Sequence, residues 1–197
     1  MKNILLATSN LGKLKEFQDI LNPTKYHLTT LDTHKIQLPE ETGSTFVENA
    51  IIKSRAACQA SGLPSIADDS GLIVPVLKGA PGIYSARFAG KEATEEENRE
   101  KLLRDMKNIP EPSRHAYFQC VIVFMESAID PAPLIAQASW HGIIADTPRG
   151  ENGFGYDSLF YVPVLKRTAA ELSSDEKNTQ SHRALALQQL LFLMQSL

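Results

Sequence analysis

Cysteine is scarce, positive charge is not in surplus, and the chain contains no long apolar run, internal repeat or low-complexity tract. Only Cys58 and Cys120 are present among 197 residues. Neither belongs to a CxxC or Cys/His grouping, which argues against a zinc centre or a disulfide framework and for two buried free thiols. Twenty Lys and Arg face 23 Asp and Glu, for a net charge of −3 at pH 7. Duplex binding normally needs a strongly basic face, so no nucleic-acid partner is expected and any nucleotide handled is a free one. The opening run, Met1-Lys2-Asn3-Ile4-Leu5-Leu6-Ala7-Thr8, is too short for a signal peptide, and nothing later approaches a membrane span. A cytoplasmic protein without membrane contact is expected. With 43% hydrophobic residues, the chain can bury a proper core, and residues 1–197 are read as one globular unit.

What is there begins with a strand over Asn3 to Thr8 and a helix with Leu11, Leu14, Phe17, Ile20 and Leu21 at helical spacing, stopped by Asn22-Pro23. Tyr26 to Leu31 reads as a second strand, followed by a polar stretch through His34 to the acidic loop Glu40-Glu41. A long helix from Ser44 to Ser61 carries Phe46, Val47, Ala50, Ile51, Ser54, Ala57 and Cys58 on one face, with Asn49 and Lys53 at its border. Ser65 to Ala67 form a strand that ends on Asp68-Asp69; Leu72 to Val76 extend it as far as Pro75 permits. Gly79 to Gly82 is a loop, Glu95 to Met106 a charged helix, and Ala116 to Met125 with Leu134 to Ile144 an antiparallel pair. A glycine-rich loop over Gly150 to Gly155 precedes a strand at Leu159 to Val162. A capping box at Ser173 to Glu176 and a final apolar-sided helix follow.

Three of these segments carry chemistry. Thr8, Ser9, Gly12 and Lys13 at the opening of the first helix describe a phosphate cradle, in which backbone amides, hydroxyls and an ammonium group share an anion. Glu40 and Asp69, one from each acidic segment, are the expected ligands of a divalent cation, since Mg2+ takes oxygen donors and commonly only one or two protein carboxylates. Asp69 is also placed to orient or deprotonate a water, with Asp68 in a structural or electrostatic role. Phe154, Gly155, Tyr156 and Asp157 combine rings, flexible backbone and a carboxylate, a composition suited to stacking on a base and reading its polar edge. Lys177, His182 and Arg183 add donors around the start of the last helix.

Taken together, Ala7 to Lys13, Glu40 to Gly43, Phe46 to Ala50, Ala67 to Leu72, Gly79 to Arg87, Phe154 to Asp157, Glu176 to Asn178 and Ser181 to Arg183 resemble, in order, the motifs of the inosine triphosphate pyrophosphatases, or XTP/dITP diphosphatases. The resemblance implies an α/β, two-lobed fold of the Maf/ITPase kind, with a long central mixed sheet, flanking helices and a cleft between the lobes. It implies a homodimer that hydrolyses ITP, dITP and XTP to monophosphate and pyrophosphate with Mg2+. By the same resemblance Thr8, Ser9, Asn10, Leu11, Gly12, Lys13, Lys53 and Ser70 hold the triphosphate. Glu40 and Asp69 hold the metal, Asp69 acts on water, and Phe154 to Asp157, Lys177, His182 and Arg183 bind the base and sugar. Ser9 stands where the family often has glycine, Ser158 where it often has proline, and Pro75 where it often has an acidic residue. A pyrophosphatase for modified pyrimidine nucleotides and a non-catalytic nucleotide sensor are the competing readings.

Overall fold

A computed structural model describes residues 2–21 and 26–196; the expected Asn22-Pro23 stop lies outside the described residues. In chain order the elements are β1 (Lys2–Leu6), α1 (Leu11–Leu21), β2 (Tyr26–Thr30), α2 (Leu31–His34), α3 (Phe46–Ser61), β3 (Ser65–Ile73), α4 (Glu95–Met106), β4 (His115–Met125), β5 (Leu134–Ile144), β6 (Phe160–Val162), β7 (Arg167–Thr168), α5 (Ser174–Gln180) and α6 (His182–Leu193). The strands form a sheet in the order β2-β1-β3-β4-β5-β6-β7. β1 runs parallel to β2 and β3, whereas β6 is antiparallel to both β5 and β7, so the sheet is mixed and the fold is α/β.

Local chemistry explains most boundaries. Thr45 accepts from the Glu48 amide while the Glu48 carboxylate accepts from the Thr45 amide, a capping box that starts α3. Gly62, at φ 70°, ends α3 in the left-handed region that a side chain would disfavour. Thr94 with Glu97 and Ser173 with Glu176 start α4 and α5 in the same way. The structure departs from expectation at several places. The polar stretch after β2 contains a one-turn helix, because Thr30 caps it through the Thr33 amide. β3 stops at Ile73 rather than continuing to Val76, since Pro75 opens a tight 3-10 turn over Pro75–Leu77. A second such turn covers Gly82–Arg87. Ser181, with extended backbone (φ −68°, ψ 158°), separates α5 from α6.

Two compact units share the chain: one of Met1–Asp69, Cys120–Ala138 and His182–Leu197, the other of Ser70–Gln119 and Ser139–Ser181. In the first, Ile4, Leu6, Ile66, Cys120, Ile122 and Phe124 pack with Phe17 of α1 and with Ala186, Leu187 and Leu190 of α6. Leu5, Ala7 and Ala67 pack instead with Ala57 of α3. Alternate residues of a strand point to opposite faces, so Ile4, Leu6 and Ile66 meet α1 and α6 while Leu5, Ala7 and Ala67 meet α3. In the second unit Leu72, Leu102, Met106, Phe118, Trp140, Tyr156 and Phe160 form the core.

Candidate active site

The acidic pair does not end a strand, as the sequence reading expects, but lies inside β3. Its two members consequently face opposite sides of the sheet, and each carboxylate meets different cations. Asp68 is buried on the α1/α6 side, where Lys13 Nζ stands 2.9 Å from its Oδ2 and Arg183 Nε 3.4 Å. Arg183, itself buried, also pairs with Glu16 of α1. Burial pushes the Asp68 carboxyl up, but the charges of Lys13, Arg183 and Lys53 outweigh it and hold the group well below the ordinary 3.8. Burial also works against the Arg183 charge, and Glu16 and Asp68 more than restore it. Lys13 lies in the first turn of α1, where the helix dipole disfavours a cation; the buried Asp68 offsets that.

Asp69 faces α3. Lys53 Nζ donates to Asp69 Oδ1 at 3.1 Å and to Glu41 Oε1 at 2.6 Å, so one ammonium joins a carboxylate of the acidic loop to one of β3. Asn49 Nδ2 donates to Asp69 Oδ2 at 3.1 Å, and Asn49 Oδ1 accepts from the Gly43 amide at 2.8 Å. Asn49 and Lys53 are buried outright rather than lying at a helix border. A Cβ on Gly43 would stand 2.6 Å from Asn49 Oδ1, which is why the loop needs glycine there. Burial raises the Asp69 carboxyl above 3.8, and the Glu41 charge adds to that, with Lys53 opposing. Glu40 is exposed. The Thr8 to Lys13 turn is built by its own side chains: Thr8 Oγ1 accepts from the Asn10 amide, and Asn10 Oδ1 caps the Lys13 amide at 3.0 Å. Ser9 and Leu11 are exposed, Gly12 is half-buried, and His182 is buried at the start of α6. Ser70 is half-buried in β3.

In the second unit Phe154 to Asp157 form a turn. The Asp157 amide donates to the Phe154 carbonyl at 3.2 Å, and Asp157 Oδ2 accepts from the Phe154 amide at 3.0 Å and from Lys177 Nζ at 2.6 Å. Lys177 Nζ also lies 4.9 Å from the centre of the half-buried Phe154 ring. Tyr156 is core, 4% exposed, and its hydroxyl donates to the Ser85 carbonyl at 2.8 Å; Phe154 is therefore the ring left to meet a ligand.

The sequence model of the Ham1 family matches residues 4–193. The chain belongs to the Ham1 family. A relative from Yersinia pseudotuberculosis serotype I (strain IP32953), described as a dITP/XTP pyrophosphatase, is 51% identical over 191 residues, 97% of each chain. One from Escherichia coli (strain K12) with the same description is 48% identical over the same share of both chains. The solved structure of a HAM1 protein from Coxiella burnetii superposes with a TM-score of 0.93 at 49% identity, covering all of both chains. The Ham1 protein of Staphylococcus aureus gives 0.86 at 43% identity and 99% coverage of each.

Sequence reasoning missed Glu16, which sits three residues after Lys13 on α1; it named Asn49 beside Lys53, four residues on along α3, but not the contact of Asn49 with Asp69, and both spacings put the pair on one helix face. Among the described residues no group of three or more His, Cys, Asp or Glu forms a metal cage, and no helix is long and apolar enough to cross a membrane. The oxygen donors of Asp69 and the Glu40-Glu41 loop suit Mg2+, which completes its shell with water and phosphate oxygens.

Proposed function

We propose that the chain hydrolyses non-standard purine nucleoside triphosphates, of the ITP, dITP and XTP kind, to monophosphate and pyrophosphate. The single observation that carries this reading is the Lys53 ammonium held between Glu41 and Asp69, in a chain of a family whose relatives are described as dITP/XTP pyrophosphatases. Asp69, with Glu40 and Glu41 at the acidic loop, would hold Mg2+. Bound there, the ion supplies charge neutralisation to the phosphates and polarises water.

Asp69 takes a proton from the attacking water. The water oxygen bonds to the α-phosphorus, and the bond from that phosphorus to the bridging oxygen of the pyrophosphate breaks. Lys13 and Lys53 exchange part of their contact with Asp68 and Asp69 for the departing phosphates. Positioning and electrostatics supply most of the acceleration, as is general for phosphoryl transfer. Ser70 and the Thr8 to Lys13 turn hold the triphosphate, and Phe154, Gly155, Asp157, Lys177, His182 and Arg183 serve the base and sugar, with Tyr156 anchoring their turn in the core. A donor that meets a 6-keto oxygen is left unpaired by adenine's amino group, which disfavours ATP. The enzyme works as a cytoplasmic homodimer on free nucleotides.

The deciding experiment is product analysis with ITP, with and without Mg2+, beside dUTP and a modified dTTP. Inosine monophosphate plus pyrophosphate, lost on chelation and restored by Mg2+, is the expected result. Inorganic phosphate as the first product, preference for a pyrimidine, or binding without turnover refutes the reading.

A further inference from the structure

Two side chains of α4, one helical turn apart, grip the same residue of the Phe154 to Asp157 turn. Glu95 Oε2 accepts from the Gly155 amide at 2.8 Å, and Arg99 Nη1 donates to the Gly155 carbonyl at 2.9 Å. Their own separation is longer, 3.6 Å. An ordinary i,i+4 surface pair would direct its charges at each other; here both are directed at backbone 60 and 56 residues away in sequence. Gly155 has φ +60°, the left-handed region, and occupies the first corner of the turn closed by the Asp157 amide on the Phe154 carbonyl. The second corner, Tyr156, is fixed through its hydroxyl to the Ser85 carbonyl. Both corners are thus held from behind, while the ends carry the Phe154 ring and the Asp157 carboxylate with its Lys177 partner.

We propose that Glu95 and Arg99 are positioning residues that preorganise this turn and so set the affinity for the substrate's base. The proposal rests on the function above and locates part of its substrate recognition in α4. Preorganisation acts on binding: a loosened turn must be ordered when the base arrives, so the cost falls on KM and leaves kcat largely alone. Glu95 is more than half exposed and Thr94 with Glu97 caps α4 without it, so global stability does not depend on the grip.

The test uses the full chain and four variants, Arg99→Ala, Arg99→Lys, Glu95→Ala and Glu95→Gln. Steady-state kinetics with dITP, hydrogen exchange at the Gly155 amide and thermal melting are measured on each. The alanine variants should raise KM about tenfold, the size expected for losing one hydrogen bond to a charged group, and speed Gly155 exchange by about as much. Kcat should stay within about twofold. Lysine at 99 still donates and glutamine at 95 still accepts, so both should recover most of the loss. Unchanged KM and exchange in the alanine variants overturns the proposal, as does a KM loss that follows melting temperature or is not rescued by lysine and glutamine. A parent chain inactive on dITP refutes the enzymatic reading instead, and exchange at Gly155 then still decides whether the grip orders the turn.

Discussion

Replacing Asp68 and Asp69 by asparagine, one at a time, should separate stability from turnover although the residues are neighbours. Asp68 is fully buried against Lys13 and Arg183. Removing its charge leaves two cations facing a neutral amide, with Glu16 as the remaining anion on Arg183. Breaking one partner of a buried ion pair costs about 3–5 kcal/mol. At about 2–4 °C per kcal/mol for a chain of this length, the melting temperature should fall by about 6–20 °C. Asp69 differs because burial and Glu41 already oppose its charge, and Lys53 keeps Glu41 when Asp69 is neutralised. Asp69→Asn should therefore melt within about 3 °C of the parent chain. Its pyrophosphate release from dITP should drop at least about a hundredfold, the lower range for a lost general base. Circular dichroism melts and a pyrophosphate assay on both variants decide the matter. An active Asp69→Asn protein, or an Asp68→Asn protein that melts with the parent, refutes the division of labour.

Acid should expose the same contrast. The depressed Asp68 carboxyl contributes stability above its ordinary 3.8 and loses it as pH falls through the folded value, whereas the raised Asp69 carboxyl contributes below 3.8 and loses that as pH rises. Below about pH 4 the parent chain should therefore lose melting temperature more steeply than Asp68→Asn, and parallel curves would contradict the assignment. Gly153 has φ +76°, and a Cβ there would stand 2.1 Å from Asp157 Oδ2. Gly153→Ala should displace Asp157 from Lys177 and raise KM for dITP about tenfold; an unchanged KM counts against the role given to that carboxylate. Burial pushes the Cys120 thiol up to about 12 and raises Cys58 as well. Ellman's reagent should react with either only on unfolding, and rapid titration of both in the native protein would show the burial to be wrong.

Periodicity was enough for the long elements. α4 matches its expected span of Glu95 to Met106, and β4 and β5 differ from expectation only by the added His115. Local turn chemistry was harder, because the helix over Leu31–His34 and the turn over Gly82–Arg87 depend on which backbone amides a hydroxyl or carbonyl reaches. The site was readable as residue types but not as pairs. Asp68-Asp69 looks like one acidic unit until the strand is known to run on past it, at which point the pleat must separate the two. Nor does sequence reveal that Glu41 contacts Lys53 while Glu40 is exposed, or that Glu95 and Arg99 reach Gly155, since these contacts join segments distant along the chain.

The alternation along β3 also limits how this protein can change. Deleting one residue upstream of Asp68 in the strand would exchange the faces of the two aspartates while preserving their order and composition. Asp69 would then lie on the face of Arg183, and Asp68 on the face of Lys53. A one-residue change of length here carries each aspartate to the opposite face, so the strand's parity, and not only its composition, is what keeps the two carboxylates with their separate partners.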